Sequence, residues 1–419
     1  RPAPRGRPPA ADCRIPDHQD QTMSHAVARK VAEDVGRASF IREMFEKGRR
    51  LKAEFGADNV FDFSLGNPNA APPDAFFDAV QAVAAERNPA LHRYMPNPGF
   101  DQSRAAVARF ASREYRQPFD AAGVILTCGA AAGMNIALRA ICNPGDEVIV
   151  LAPYFPEYRF YIEQAGGTLV LVQTDPEFQP DLAAIEAALT PRTRAVIVNS
   201  PNNPSGAVYG EEQCRGLAAL LQRHDRPDHP VYALCDDPYR RIIFDLDWCP
   251  SLLPHYHRTL IVSSYSKDLS IAGERAGYIA VAPAVPEREL LLAAMIMLNR
   301  TLGFVNAPAF MQRVIARCAE ALCDVEFYRT NRDLMCGALR EYGYELVMPR
   351  GALYAFPKTP LPNDLQFVDL LLKHKVLAVP GRGLGRPGHI RLCYAVDRRT
   401  IERALPALKA AMTEARDSR

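Results

Sequence analysis

The 419 residues carry 50 Lys plus Arg against 48 Asp plus Glu and are 48% hydrophobic, an ordinary globular composition that excludes disordered, collagen-like and coiled-coil classes. A net charge of +2 is too small for the basic field that nonspecific nucleic-acid or anionic-membrane binding requires. The longest apolar stretches, such as Val148 to Ala152 and Leu290 to Leu298, fall well short of the roughly 20 residues that span a bilayer, so a soluble protein is expected.

In chain order, residues 1–22 are rich in Pro and Arg and lack an apolar signal region, and are expected to be a disordered tail. Residues 23–71 are expected to form an arm whose helix, Ser39 to Phe55, joins a smaller domain; its apolar positions recur at helical spacing up to Gly56. Residues 72–306 alternate short apolar runs with helical patterns: VILTC, EVIVLA, TLVLV, AVIVN, VYALCD, TLIVSSYS and GYIAVA. Continuous apolar runs between helices mark a mostly parallel sheet buried on both faces, which predicts a three-layer α/β/α large domain. Residues 307–419 read as a smaller α+β domain: a long helix from Ala307 to Tyr342, strands at YELVMP, LYAFP, VLAVP and HIRLCYA, and a closing helix from Arg398 to Ala415. The ten cysteines form no CxxC pair and the nine histidines no HExxH. Reduced thiols, a cytoplasmic location and no metal site are expected.

Five clusters carry candidate chemistry. Lys267 follows the run TLIVSSYS; burial disfavours an ammonium, lowers its pKa and makes a nucleophile able to form a Schiff base. Alone it reads equally as a surface lysine. Its neighbours Ser264, Ser266 and Arg275 suit a phosphate dianion, and Gly273 and Gly277 leave the approach free of side chains. SPNNPSG, with Asn203, lies at the end of a strand-like run, where open α/β sheets bind ligands, although by itself it is only a turn. In CDDPYRRI, Asp236 ends a strand, and a buried carboxylate there needs a cationic or hydrogen-bonding partner. TCGAAAG turns a strand into a helix whose first amides, at Ala130, Ala131 and Ala132, suit a phosphate; taken singly, such a run is weak evidence. Phe155 in APYFPEY stands where an aromatic ring stacks on a cofactor or simply fills the core. The spacing in GRGLGRPG does not make a dinucleotide site, because a strand and not a helix follows it.

SPNNPSG, DDPY and SYSKDLSIAGERAGY in that order, with YMPNPG upstream and HIRLCYA near the end, strongly resemble the class I/II aminotransferases of fold type I, which use pyridoxal 5′-phosphate. The resemblance spans residues 39–415. It implies that Lys267 holds the cofactor as a Schiff base and shuttles the proton, and that Asp236 keeps the ring nitrogen protonated. Tyr239 and Asn203 would bond the ring oxygen. Ser264, Arg275 and the amides of Ala130, Ala131 and Ala132 would hold the phosphate, with Phe155 stacking on the ring. Arg391 would grip the substrate carboxylate beside Gly66, and Tyr94 would reach the phosphate of a neighbouring subunit, which implies a homodimer. The phosphate turn departs from many relatives in having three alanines where Ser or Thr is common. The activity implied is transfer of an amino group from an L-amino acid of aspartate, aromatic or alanine type to a 2-oxo acid such as 2-oxoglutarate, by a ping-pong cycle. Arg300 stands, after a one-residue shift, where some relatives pair a distal carboxylate across the dimer; it reads equally as a surface arginine. The alternative activity on the same residues is a C–S lyase, by β-elimination.

Overall fold

A computed structural model describes residues 26–36 and 40–418 of the chain. The tail expected over residues 1–22 lies outside the described residues. Two helices, α1 (Arg29–Gly36) and α2 (Phe40–Phe55), lead to a short strand, β1 (Phe61–Asp62). The large body follows with α3 (Asp74–Ala85), α4 (Asp101–Tyr115), β2 (Val124–Thr127), α5 (Gly129–Ile141), β3 (Glu147–Ala152), β4 (Thr168–Gln173), β5 (Thr193–Val198), β6 (Tyr232–Asp236), β7 (Thr259–Ser264) and β8 (Gly277–Val281).

Strands β2 to β8 form one sheet in the order β2-β8-β7-β6-β5-β3-β4. The β4-β3-β5-β6-β7 pairings are parallel, and β8 runs antiparallel to both β7 and β2. The mostly parallel α/β sheet predicted from the apolar runs is therefore present. Every residue of β2, β3, β6, β7 and β8 is buried, as expected of strands covered on both faces; each such Leu or Ile contributes about 1.5–3 kcal/mol. Edge strand β4 instead exposes several of its side chains.

The reversal of β8 positions the site. The segment after β7 loops out from the carboxyl edge and is closed by the Tyr265 amide donating to the Ala276 carbonyl at 3.0 Å. The loop thus starts and ends at one sheet edge. There Gly277 pairs with both Ser264 and Thr127. A Cβ on Gly277 would lie 2.6 Å from the Gly129 backbone, so glycine is what lets the first turn of α5 settle over this edge.

A second core gathers Met44, Phe63, Ile242, Phe244 and the C-terminal elements. These elements are β9 (Tyr354–Ala355), β10 (Val376–Leu377), β11 (Val379–Pro380) and β12 (Ile390–Cys393), with the helix Arg398–Asp417 packed behind them. β11, β12 and β9 make an antiparallel sheet, while β10 pairs in parallel with β1, which ties the arm into this layer.

Three details differ from the sequence reading. Ala307, Met311, Val314, Ile315 and Cys318 pack in the first core, so the change of core falls later than residue 307. The long helix expected from Ala307 to Tyr342 is two helices, Ala309–Cys318 and Val325–Glu341. The break occurs where the Cys323 amide donates to the Asp268 carbonyl at 2.6 Å instead of continuing the helix, and Asp324 caps the new start. YELVMP forms no strand; beyond it the amides of Arg350 and Gly351 turn to the Gly206 carbonyl.

Candidate active site

The carboxyl ends of β5, β6 and β7, the start of α5 and the edge of the second core enclose one cavity. Gly66, Ala130, Ala131, Phe155, Asn203, Asp236, Tyr239, Ser264, Lys267, Arg275 and Arg391 all line it. Residues from segments as distant as 66 and 391 meet there because the parallel sheet delivers successive loops to one edge.

Lys267 is half-buried, and its Nζ donates to the Gly66 carbonyl at 2.7 Å. Burial lowers the amine from 10.5 to about 8, with Arg391 and Arg275 adding repulsion and Cys393 opposing. A neutral, nucleophilic fraction near pH 8 is the consequence. Capture of an added aldehyde at Lys267, fixed by borohydride and read by peptide mass spectrometry, is expected to rise with pH around a midpoint near 8; a midpoint near 10.5 would show an ordinary surface amine.

Asp236 closes β6, the register pointing it into the cavity. Its Oδ2 accepts a 2.5 Å hydrogen bond from Tyr158, while Oδ1 is buried and has no partner. Burial raises this carboxyl from 3.8 to about 7; the Tyr158 bond opposes the shift and Asp237 adds to it. An orphaned acceptor of this kind calls for a cationic N–H.

Arg391, 1% exposed, sits on β12. Its Nη1 donates to Asn203 Oδ1 at 3.0 Å and its Nη2 to the Ser64 carbonyl at 2.6 Å. Its Nε is buried without a partner. The guanidinium lies 4.7 Å from the Tyr354 ring, whose hydroxyl meets that of Tyr239 at 2.9 Å. Gly66 is bound to this corner, since a Cβ there would fall 1.9 Å from Tyr354 Oη.

At the other end of the cavity, Gly129 opens α5 at φ +79° and a Cβ on it would come 2.5 Å from Arg275 Nη2. Ala130 and Ala131 therefore present amides and no side-chain bulk beside Arg275, Ser264 and Ser266. Gly273, also expected to keep the approach clear, has open space around it and is not needed for that purpose.

Three candidates are not brought into this cavity. Ala132 is buried behind the first turn of α5, whereas Tyr94, 90% exposed, and Arg300, at the exposed end of the helix Arg288–Thr301, face outward. Sequence reasoning missed Tyr158, Tyr354, Asn199, Glu157 and Tyr161. Tyr158 was the most accessible of these: it stands one helical step beyond Phe155, and their rings meet edge to face at 5.6 Å. Among the described residues, no group of His, Cys, Asp or Glu is placed to hold a metal ion, and no helix is long and apolar enough to cross a membrane.

Residues 58–408 match the model for aminotransferases of class I and II. The chain is 32% identical to the aspartate/prephenate aminotransferase of Thermus thermophilus, over 82% of this chain and 88% of that protein. A crystal structure of an aminotransferase from Eubacterium rectale superposes with a TM-score of 0.90 at 38% identity, covering 93% of this chain and 99% of that one. The aspartate aminotransferase of Thermus thermophilus with maleate gives 0.82 at 28%, covering 93% and 100%. With its sheet, its lysine at the carboxyl edge and this match along most of its length, the chain belongs to the class I and II aminotransferases and is an enzyme of amino-group transfer.

Proposed function

We propose that the cavity holds pyridoxal 5′-phosphate on Lys267 and transfers amino groups between L-amino acids and 2-oxo acids. The observation that carries this reading is the pairing of a lysine depressed to about 8 with a buried carboxylate oxygen that lacks a partner. The residues fit the cofactor: Asp236 Oδ1 would meet the ring N–H, Tyr239 and Asn203 the ring oxygen, and Phe155 a ring face. Ser264, Arg275 and the amides of Ala130 and Ala131 would take the phosphate. When bound, the cofactor supplies an electron sink for the pair released at the substrate Cα.

The chain's own residues do the rest. Arg391 Nε, buried and unpartnered, awaits the substrate carboxylate, and Asn203 and Ser64 hold the guanidinium in place to receive it. Lys267 Nζ, with its lowered proton affinity, takes the Cα proton and returns it. Tyr158 fixes the Asp236 carboxylate by its short hydrogen bond, so the charge opposite the ring nitrogen is set before substrate arrives.

Relatives named for aspartate support the dicarboxylic end of the expected donor range, alongside alanine and aromatic donors, with 2-oxoglutarate as an acceptor. For Arg300 and Tyr94 to take part, a second copy must bring them to the cavity, so the reading includes a homodimer. The described cysteines are free and mostly buried, which supports a reducing, cytoplasmic setting.

The purified holoprotein, offered amino acids one at a time with a 2-oxo acid, is expected to form the new amino acid with no ammonia. Borohydride treatment should leave a pyridoxyl group on the Lys267 peptide. Pyruvate with stoichiometric ammonia from a β-substituted donor would instead show elimination, and no label at Lys267 would remove the cofactor assignment.

A further inference from the structure

One cavity carboxyl has no part in the chemistry above. Glu157 opens the helix Glu157–Gln164, two residues beyond Phe155, and lines the cavity together with Tyr161, Tyr354 and Arg391. Its own backbone amide bonds the side chain, yet Oε2 is buried with no hydrogen-bond partner. Burial raises this carboxyl above its ordinary range, and Arg391 acts against the shift only as a longer-range attraction. A buried acceptor left in this condition costs free energy in the empty site that a suitable ligand recovers.

The layout of the cavity says what that ligand is. With the α-carboxylate on Arg391 and the α-amino group at Lys267, the substrate side chain must enter the remaining space. In the proposed reading Asp236 serves the ring nitrogen, and Glu157 is the other carboxyl on the cavity lining with an unpartnered oxygen. We infer that Glu157 is a specificity-determining residue: it accepts a hydrogen bond from the side chain of the amino donor and selects donors ending in an amide or ammonium over those ending in a carboxylate. A distal carboxylate offers Oε2 no donor, whereas an N–H would satisfy it. Arg300, the residue that would balance a distal carboxylate, is exposed and outside the cavity of its own chain. The inference rests on the proposed placing of substrate between Lys267 and Arg391, and it departs from the dicarboxylic donors and acceptor given there by favouring partners whose side chains carry an N–H.

Isosteric pairs test it. The holoenzyme is given glutamine or glutamate, and asparagine or aspartate, with glyoxylate as common acceptor, and glycine is quantified to obtain kcat/KM. Alanine serves as a reference donor too short to offer a side-chain N–H. The wild-type amide-to-acid ratio is expected to exceed about tenfold in both pairs, since buried polar groups discriminate strongly against a partner that cannot pair with them. Glu157→Gln should bring that ratio down by about tenfold, because the glutamine amide can donate to a distal carboxylate as well as accept from an amide. Reading ratios cancels any general loss of activity, and Glu157→Ser serves if the glutamine variant does not fold. Glycine from alanine with wild-type ratios near one, or ratios unmoved by either variant, would overturn this inference alone. No glycine from any donor, alanine included, would overturn the reading of the site itself and this inference with it.

Discussion

Lys267→Ala is expected to lower kcat on the order of 10³-fold or more for every donor while leaving the fold intact. General acid–base catalysis contributes roughly 10²–10⁴-fold, and in the proposed reading the same amine is also the attachment point for the cofactor. The stability side has the opposite sign. Burial depresses the amine to about 8 from 10.5, so the charged form is held in a place that disfavours it. Removing it sacrifices one hydrogen bond, to the Gly66 carbonyl at 2.7 Å, and relieves that desolvation. A thermal midpoint near or above wild type, together with turnover close to background, is the expected pair of results. Turnover at a normal rate would disprove proton transfer by Lys267; a collapsed midpoint would make the residue structural.

Asp236→Asn is expected to cost on the order of 10²–10³-fold in kcat, the usual loss when a preorganised electrostatic partner is removed from a water-poor site. The amide has nearly the same shape and can still bond Tyr158, so the loss isolates the negative charge. A second signature separates this from a packing effect. In the cofactor-free protein the folded carboxyl holds its proton up to about pH 7, against 3.8 for the ordinary group. Between those values the folded state binds more protons than the unfolded one, and stability falls as pH rises through that window. Asp237, raised to about 6, and Asp268, raised to about 7, follow the same trend for the same reason, burial. The Asn variant should therefore show a shallower decline, with the Asp237 and Asp268 shares left. An unchanged slope would mean that the Asp236 carboxyl is not shifted by its surroundings.

Much of this site was legible in one dimension. Lys267, Arg275, Asp236, Tyr239 and Asn203 stand in short motifs directly after apolar runs, and such runs end at the edge of a parallel sheet where loops gather. What the motifs do not contain is the set of groups that aim them. Tyr158 reaches Asp236 across 78 residues, Tyr354 reaches Tyr239 across 115, and Arg391 reaches Asn203 across 188. None of these pairs leaves a periodic trace. The extended helix expected from Ala307 failed similarly: helical spacing continues through Cys318, but an amide at Cys323 finds a better partner in the distant Asp268 carbonyl.

From composition and apolar periodicity alone follow the layered α/β architecture and the edge of the sheet at which chemistry collects, because burying both faces of parallel strands demands a pattern visible in every run. Tertiary structure alone decided which polar atoms are left over. Asp236 Oδ1, Arg391 Nε and Glu157 Oε2 are unpartnered only because the surrounding loops close on them from different segments. Desolvation is a property of that enclosure, and the local order of residues does not encode it.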